Sequence, residues 1–117
     1  MKLSTREAGI RGEEYVCDRL VQRGYEILDR NVRQKFAELD IVARDGDTMC
    51  FVEVRTRNDA ALGHPAETVT AAKQQKIRRA AEAYIVKNRI PPMPMRFDVA
   101  TILWSTMEFE YFENAFC

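Results

Sequence analysis

Apolar residues recur with the period of a helix in two stretches of the chain. The first runs from Ser4 to Arg23, where Ser4 or Thr5 can cap the first turn and Gly24 can end the last. The second runs from Ala66 to Asn88 and stops before IPPMPM, because proline cannot continue a helix. Its apolar stripe consists of Val69, Ala72, Ile77, Ala80, Ala81, Tyr84 and Ile85. We therefore predict two helices.

Other stretches have the composition of strands. Ala37 to Arg44 and Thr48 to Thr56 are joined by Asp45-Gly46-Asp47, which is typical of a hairpin. The remaining predicted segments are the strand Tyr25 to Asn31, the polar loop Asn58 to Pro65, the strand Arg96 to Leu103 and a short fifth strand, Met107 to Phe112. The order α-β-β-β-α-β-β over residues 1–117 predicts a single domain of the α/β class, with a mixed central sheet flanked by helices.

Polar side chains interrupt the two strands of the hairpin. Because strand side chains alternate between faces, Glu38 and Asp40 share one face of their strand, and Glu53 and Arg55 share one face of theirs. A loop at Asp45-Gly46 would place Glu38 opposite Glu53, and a loop at Gly46-Asp47 would place Asp40 there. Either loop puts the four polar residues on one face. The opposite face, which can pack on a helix, carries Leu39, Ile41, Ala43, Cys50, Val52 and Val54.

Two interpretations of this polar face are open. Carboxylates held together repel one another, and a hard divalent cation such as Mg²⁺ would neutralise them and could activate a bound water. Arg55 could then contact a phosphate. The alternative is an exposed sheet face with ordinary cross-strand Glu–Arg pairs. Glu13 lies on a partly apolar stripe of the first helix, so it can approach the hairpin if that helix packs there.

Charge and composition add few constraints. The formal net charge is zero, so nothing global demands a nucleic-acid partner. The second helix is basic, with Glu82 as the one acid in KQQKIRRAAEAYIVKNR. Such a helix can bind phosphates, although a solvated face is the simpler interpretation of this feature alone.

The sequence favours a cytoplasmic protein. No apolar run approaches the roughly 20 residues that span a bilayer, and the N-terminal stretch lacks the apolar core of an export signal. The three cysteines, Cys17, Cys50 and Cys117, fit no disulfide framework or zinc motif, so we expect buried thiols in a reducing compartment. Packing or loop structure is the expected role of four other residues: Tyr15, His64, Tyr84 and Trp104.

Several motifs in order along the chain resemble one known family. The segments GEEYVCDRL, RGYEILDRN, AELDIVARDGDTMCFVEVRTR, LGHPAETVTAAKQQKI and RFDVATI, between Gly12 and Phe116, are similar to the YraN-like family of small uncharacterised bacterial proteins. That family resembles the PD-(D/E)XK nuclease superfamily, with a layout similar to archaeal Holliday junction resolvases. The resemblance implies a restriction-endonuclease-like fold and a metal-dependent endonuclease that acts on DNA, including branched or damaged DNA.

The resemblance also implies roles for individual residues. Asp40 and Glu53 would hold Mg²⁺ or Mn²⁺ with the Val54 carbonyl, Glu13 would reach the ion directly or through water, and Glu38 would support the cluster. The residues expected to contact nucleic acid are Arg55, Lys73, Gln74 and Lys76. Arg96 and Asp98 are expected to be structural, with Asp98 paired to a nearby cation. Resolvase-like enzymes tend to be dimers, so a homodimer is one expected state.

One position departs from the superfamily pattern. Arg55 stands where the superfamily has lysine, and arginine is always charged, so it can stabilise charge but cannot act as a base. Two rivals to an enzyme therefore remain. One is a non-catalytic nucleic-acid-binding module that retains the nuclease fold, and the other is a protein-interaction domain whose basic helix is an ordinary solvated face.

Overall fold

The computed structural model describes residues 5–35, 37–57 and 69–116 of the chain. Its elements are α1 (Thr5–Gln22), β1 (Glu26–Arg33), β2 (Glu38–Asp45), β3 (Thr48–Arg57), α2 (Ala71–Lys87), β4 (Met95–Leu103) and β5 (Glu108–Phe116). This order confirms the predicted α/β arrangement, a mixed sheet with two helices. None of the described helices combines the length and the apolar character that crossing a membrane requires.

The five strands form one sheet in the order of the chain. Neighbouring strands run antiparallel except β3 and β4, which are parallel and are connected through α2. The two helices cover opposite faces. Val16, Cys17 and Leu20 of α1 pack on one face of the sheet, and Ile77, Ala80, Ala81 and Tyr84 of α2 pack on the other. Strand alternation thus supplies two cores, one for each helix.

Two predicted boundaries are wrong. The second helix begins at Ala71, not Ala66: Thr70 has an extended backbone, and its side chain accepts a hydrogen bond from the Lys73 N–H at 3.3 Å, as an N-cap does. The fifth strand is not short, because it continues to Phe116. The helix-capping Ser4, the loop at residues 58–65 with His64, and Cys117 lie outside the described residues.

The hairpin between β2 and β3 adopts one of the two predicted registers. Asp45 pairs with Thr48, which leaves Gly46-Asp47 as a two-residue loop. Gly46 has a φ of 61°, in the left-handed region that glycine tolerates best. This register places Asp40 across from Glu53, and the regular ladder begins one step further on, at Ile41 and Val52.

The prediction for Leu39 is wrong. Ile41 and Ala43 pack on the α1 side of the sheet with Cys50 and Val52, as expected. Leu39 instead packs on the α2 side. The pairing of β2 with β1 is regular through this stretch, with Val32 opposite Leu39 and Arg30 opposite Ile41. The ladder between β2 and β3, in contrast, begins only at Ile41.

Four expectations about packing are confirmed among the described residues. Cys17 and Cys50 are buried free thiols. Tyr15 and Trp104 pack against the α1 core, with their ring centres 6.2 Å apart in an edge-to-face arrangement. Tyr84 is buried on the α2 side.

Asp98 is fully buried and hydrogen-bonded from three directions. The Arg96 Nε lies 3.0 Å from its Oδ1, the Tyr111 hydroxyl donates to Oδ2 at 2.5 Å, and the Asn114 N–H donates to Oδ1 at 2.8 Å. Arg96 also reaches the Tyr25 hydroxyl at 2.5 Å. The predicted structural role and cation partner of Asp98 are therefore correct, and the network connects β4 to β5 and to the start of β1.

Two glycines of α1 give a matched pair of substitutions. A Cβ on Gly12 would lie 2.5 Å from Thr56 Cγ2 on β3, whereas a Cβ on Gly9 would meet nothing within 4 Å. We expect Gly12→Leu to lower the free energy of unfolding by about 1–3 kcal/mol through overpacking. Gly9→Leu is expected to leave it unchanged or raise it by up to about 1 kcal/mol, because glycine is a poor helix former. Denaturant unfolding of both variants tests this, and equal stabilities would contradict the close approach of α1 to β3.

Candidate metal centre

Three carboxylates from two elements meet at one end of the hairpin. Glu13 of α1 and Glu38 and Asp40 of β2 each place a carboxylate oxygen within 4.8 Å of the others. All three residues are half-buried. Because α1 packs on the sheet, Glu13 approaches the hairpin as its position on the apolar stripe indicated. We call this trio the carboxylate cluster.

Asp40 connects the cluster to β3. Its Oδ2 accepts the backbone N–H of Val54 at 2.9 Å, in the region where the regular ladder between β2 and β3 is absent. Asp40 also shares a side-chain hydrogen bond with Glu53. Two carboxyl groups can share a hydrogen bond only if one of them carries a proton. Asp40 and Glu53 therefore share one proton when no cation is present.

Glu53 lies on the α2 side of this arrangement and is only 5% exposed. Its Oε1 lies 3.2 Å from Arg55 Nη2 and 4.0 Å from Lys73 Nζ. The sequence predicted that Glu38, Asp40, Glu53 and Arg55 share one face. The structure instead divides them: Glu38 lies with Glu13 of α1, Glu53 and Arg55 lie near α2, and Asp40 contacts both groups.

The acidity of these carboxyls is strongly altered. Burial, reinforced by the nearby Asp40 carboxylate, raises the pKa of Glu53 to about 8. Burial, followed by repulsion from Asp40 and Glu38, raises the pKa of Glu13 to about 7. Burial also raises the pKa of Asp40. Ionising these carboxyl groups together is unfavourable, and a bound cation would offset their mutual repulsion. Carboxylate oxygens are the donors that Mg²⁺ and Mn²⁺ prefer, so the residues fit either ion.

The residues predicted to contact nucleic acid differ in how close they lie to the site. Lys73 and Arg55 lie at the edge of the site, because the charged group of each is within 4.0 Å of the Glu53 carboxylate. The Gln74 side chain instead donates a hydrogen bond to the Val69 carbonyl at 3.2 Å, so it is engaged at the start of α2. Lys76 is exposed on α2, one turn after Lys73.

The sequence did not single out the residues that border the cluster on its β1 side. The Asn31 side chain hydrogen-bonds Glu13, and Arg30 is close enough to act on the same carboxylate electrostatically. Arg33 Nε lies 4.0 Å from Glu38 Oε2. These residues form part of the segment RGYEILDRNVR, where the one signal was a run of charged residues on a predicted strand.

A mixed five-stranded sheet between two helices, with acidic side chains gathered at one hairpin, defines an α/β protein with a candidate metal centre. The chain belongs to the uncharacterised protein family UPF0102, whose model matches residues 12–102. The match bears out the resemblance to the YraN-like family and covers Glu13, the hairpin and the Arg96–Asp98 pair.

Individual relatives are similar over most of their length. A UPF0102 protein of Dictyoglomus turgidum is 37% identical over 118 residues, which cover 97% of this chain and all of the relative. One of Chlorobium phaeobacteroides is 44% identical over 103 residues, or 88% of this chain and 82% of the relative. One of Caldicellulosiruptor saccharolyticus is 37% identical over 97% of this chain and all of the relative. These names describe a family and not a reaction.

The raised pKa values predict an unusual pH dependence. Between the ordinary value of 4.5 and about 8, folded Glu53 holds a proton that the unfolded chain has lost, so ionisation destabilises the fold. We therefore expect Glu53 to lower the melting temperature progressively as the pH rises from about 4.5 to about 8, with Glu13 adding to the effect up to about 7. Melting curves of the wild type and Glu53→Gln across this range measure the contribution.

The sign of the difference is the critical result. Glu53→Gln should lose less stability than the wild type as the pH rises, and Mn²⁺ should reduce the loss in the wild type. A wild type that instead gained stability relative to Glu53→Gln over this window would contradict the raised pKa of Glu53.

Proposed function

We propose that this protein is a Mg²⁺- or Mn²⁺-dependent endonuclease-like protein that hydrolyses DNA phosphodiesters, including those of branched or damaged DNA. The observation that carries the proposal is the meeting of Glu13, Glu38 and Asp40 within 4.8 Å, next to a buried Glu53 whose pKa is raised to about 8. The pKa of Glu53 is raised although Arg55 and Lys73 lie 3.2 and 4.0 Å from its carboxylate, because burial and the Asp40 carboxylate outweigh these cations. The PD-(D/E)XK resemblance of the family supports the same reaction class.

The geometry supports distinct roles around the cluster. Asp40 and Glu53 would hold the ion with the Val54 carbonyl, and the contacts of Asp40 suggest that Glu38 and Glu13 complete the set directly or through water. The bound ion would polarise the scissile phosphate and activate a water. Arg55 cannot accept a proton, so its role is to stabilise negative charge on the phosphate. Lys73 lies near enough to Glu53 to contact the adjoining phosphate backbone, and Lys76 follows it along α2.

A second candidate is a nucleic-acid-binding module without catalysis. Arg55 favours it, because Nη2 pairs with Glu53 at 3.2 Å and no lysine stands in its place to help activate water. In this case the basic groups would still bind phosphates, and the carboxylates would hold an ion that stabilises the fold. The third candidate, a protein-interaction domain, predicts no nucleic-acid binding at all.

A cleavage assay tests the proposed reaction. Labelled linear, flapped and four-way-junction DNAs would be incubated with Mn²⁺ and the wild type, Glu53→Ala or Glu82→Ala. Glu82 is an exposed acid of α2 away from the cluster and serves as the matched control. We expect the wild type and Glu82→Ala to cleave at least one substrate, and Glu53→Ala to lose cleavage. Cleavage that survived in Glu53→Ala would point to a contaminant.

Binding measurements separate the alternatives. Calorimetric titration of Mg²⁺ or Mn²⁺ into the wild type and Asp40→Ala, in the presence of DNA, should show binding that depends on Asp40. Its absence would count heavily against an enzyme. A DNA mobility shift at several salt concentrations should weaken steeply with salt if phosphates are bound. No binding at low salt would favour the protein-interaction domain.

A further inference from the structure

A polar groove lies against the carboxylate cluster on the side away from α2. It has a volume of about 450 Å³ and runs between the first turns of α1 and the end of β1, lined by Arg6, Gly9, Ile10, Glu13, Asn31, Arg33 and Glu38. This volume falls in the range of about 300–1,000 Å³ that is typical of small-ligand sites. Two of its lining residues, Glu13 and Glu38, belong to the carboxylate cluster, so the groove opens onto the candidate metal centre.

The α1 wall of the groove is shaped by residue size and spacing. Arg6, Ile10 and Glu13 follow one another at intervals of four and three residues, so they lie along one stripe of the helix. Gly9 lies beside them, and a Cβ there would meet nothing within 4 Å. Ile10 is 49% exposed and offers an apolar surface between Arg6 and Glu13 on the same stripe. A glycine within a helix costs about 1 kcal/mol relative to alanine, and here its missing side chain keeps the groove open.

Cationic and neutral donors face the same space. The Arg33 side chain is 91% exposed, and its Nε lies 4.0 Å from Glu38 Oε2, so most of its five N–H groups remain available to a ligand. Arg6 contributes a second guanidinium, and its Cα lies about 10 Å from that of Glu13 along the helix axis. At that separation, Arg6 would contact a different phosphate from the one that binds a metal ion at the carboxylate cluster. Arginine forks match phosphate oxygens better than other side chains do.

We propose that this groove binds the DNA strand next to the scissile phosphate, with Arg6 and Arg33 holding a neighbouring phosphate and Ile10 contacting the sugar. The inference rests on the proposed function and extends it, because the contacts expected from the family resemblance all lie on the α2 side. The DNA backbone would thus be held on both sides of the cluster, by Arg55 and Lys73 on one side and by the two groove arginines on the other.

The first test removes the groove cations. Arg6→Gln/Arg33→Gln would be compared with Arg11→Gln/Lys87→Gln, which removes the same charge from two exposed positions that do not line the groove. Binding of fluorescent linear and four-way-junction DNA would be followed by anisotropy in Ca²⁺, which takes the same oxygen ligands, over a series of salt concentrations. We expect the groove variant to bind about tenfold more weakly at moderate salt, with a salt dependence reduced by about one phosphate contact. The control should change little.

The second test fills the groove without removing charge. Gly9→Leu places a side chain in the open space, and Gly9→Ala is the small-residue control. Both should be at least as stable as the wild type, because both residues favour a helix more than glycine does. We expect Gly9→Leu to weaken DNA binding and to slow cleavage with Mn²⁺, while Gly9→Ala retains both. Loss of DNA binding in a variant that gains stability cannot be attributed to unfolding.

The outcomes distinguish this inference from the function on which it rests. If the wild type binds and cleaves DNA while both groove variants match their controls, the groove assignment is wrong and the proposed function stands. If only one of the two variants differs from its control, the assignment of a phosphate held by arginines within this groove is likewise wrong. If the wild type neither binds nor cleaves any of the DNAs, the proposed function itself fails.

Discussion

Asp40→Asn is expected to abolish metal-dependent DNA cleavage while leaving the fold intact. Asp40 lies in the carboxylate cluster and shares a hydrogen bond with Glu53, so it is the residue that connects both groups of acids. Loss of residues that merely support metal ligands costs about 10–100-fold in activity or affinity, and loss of Asp40 itself should cost more than about 100-fold. The measurement is cleavage of the labelled DNAs with Mn²⁺, together with calorimetric titration of the ion.

Stability provides the control for this substitution. An asparagine Oδ1 can still accept the Val54 N–H, and the substitution removes a negative charge that repels Glu13 and Glu53. The metal-free variant should therefore melt at the same temperature as the wild type or higher. If the variant kept its cleavage rate, the assignment of Asp40 to the metal site would be wrong. A variant that lost both activity and several degrees of melting temperature would assign Asp40 a structural role.

Asp98→Ala is expected to produce the largest loss of stability. The substitution removes the buried carboxylate that pairs with Arg96 at 3.0 Å, and it removes the acceptor of Tyr111 and Asn114. Removing one partner of a buried ion pair costs about 3–5 kcal/mol. Arg96 keeps the more exposed Asp45 and Glu113 at 3.2 and 3.7 Å, so we expect a loss of about 3 kcal/mol, at the lower end of this range. For a domain of this size the melting temperature should fall by roughly 10 °C or more. Denaturant unfolding and thermal melting both measure the effect.

An exposed ion pair provides the comparison for Asp98. Glu26 Oε2 and Arg44 Nη2 lie 2.6 Å apart, but about half of each side chain is exposed. Glu26→Ala should cost about 0–1 kcal/mol, because exposed pairs contribute little. If Asp98→Ala is too unstable to purify, Asp98→Asn preserves the shape of the side chain and should show a smaller loss of the same sign. A loss below about 1 kcal/mol for Asp98→Ala would contradict the role of this network.

The elements of the fold could be predicted because they depend on local patterns. Periodicity and the Asp45-Gly46-Asp47 turn located both helices and five strands, and the turn restricted the hairpin to two registers. The errors in the predicted elements concern where α2 begins and where β5 ends. Thr70 as an N-cap competes with the helical pattern that begins at Ala66, and β5 extends past Phe112 because pairing with β4 continues as far as Phe97 and Phe116. Pairing between strands is not visible in the sequence of one strand.

The site was predictable in composition but not in arrangement. Alternation identified Glu38, Asp40, Glu53 and Arg55, and helix phase identified Glu13. It also placed the four hairpin residues on one face, which the structure corrects. The packing of Leu39 on the α2 side has no sequence signal. The ladder between β2 and β3 stops at Ile41, and beyond it the Asp40 carboxylate accepts the Val54 N–H.

The sequence by itself thus determined the order of the elements, the two apolar faces and the set of acidic residues available for a metal site, since each follows from local spacing. The tertiary structure alone decided which of these acids meet. Glu13 reaches Glu38 and Asp40 because α1 lies close to β3 at Gly12, and Asp98 of β4 accepts hydrogen bonds from Tyr111 and Asn114 because β5 pairs with β4. Burial of these groups raises the pKa of Glu13 and Glu53, and burial is a property of packing that no local pattern contains.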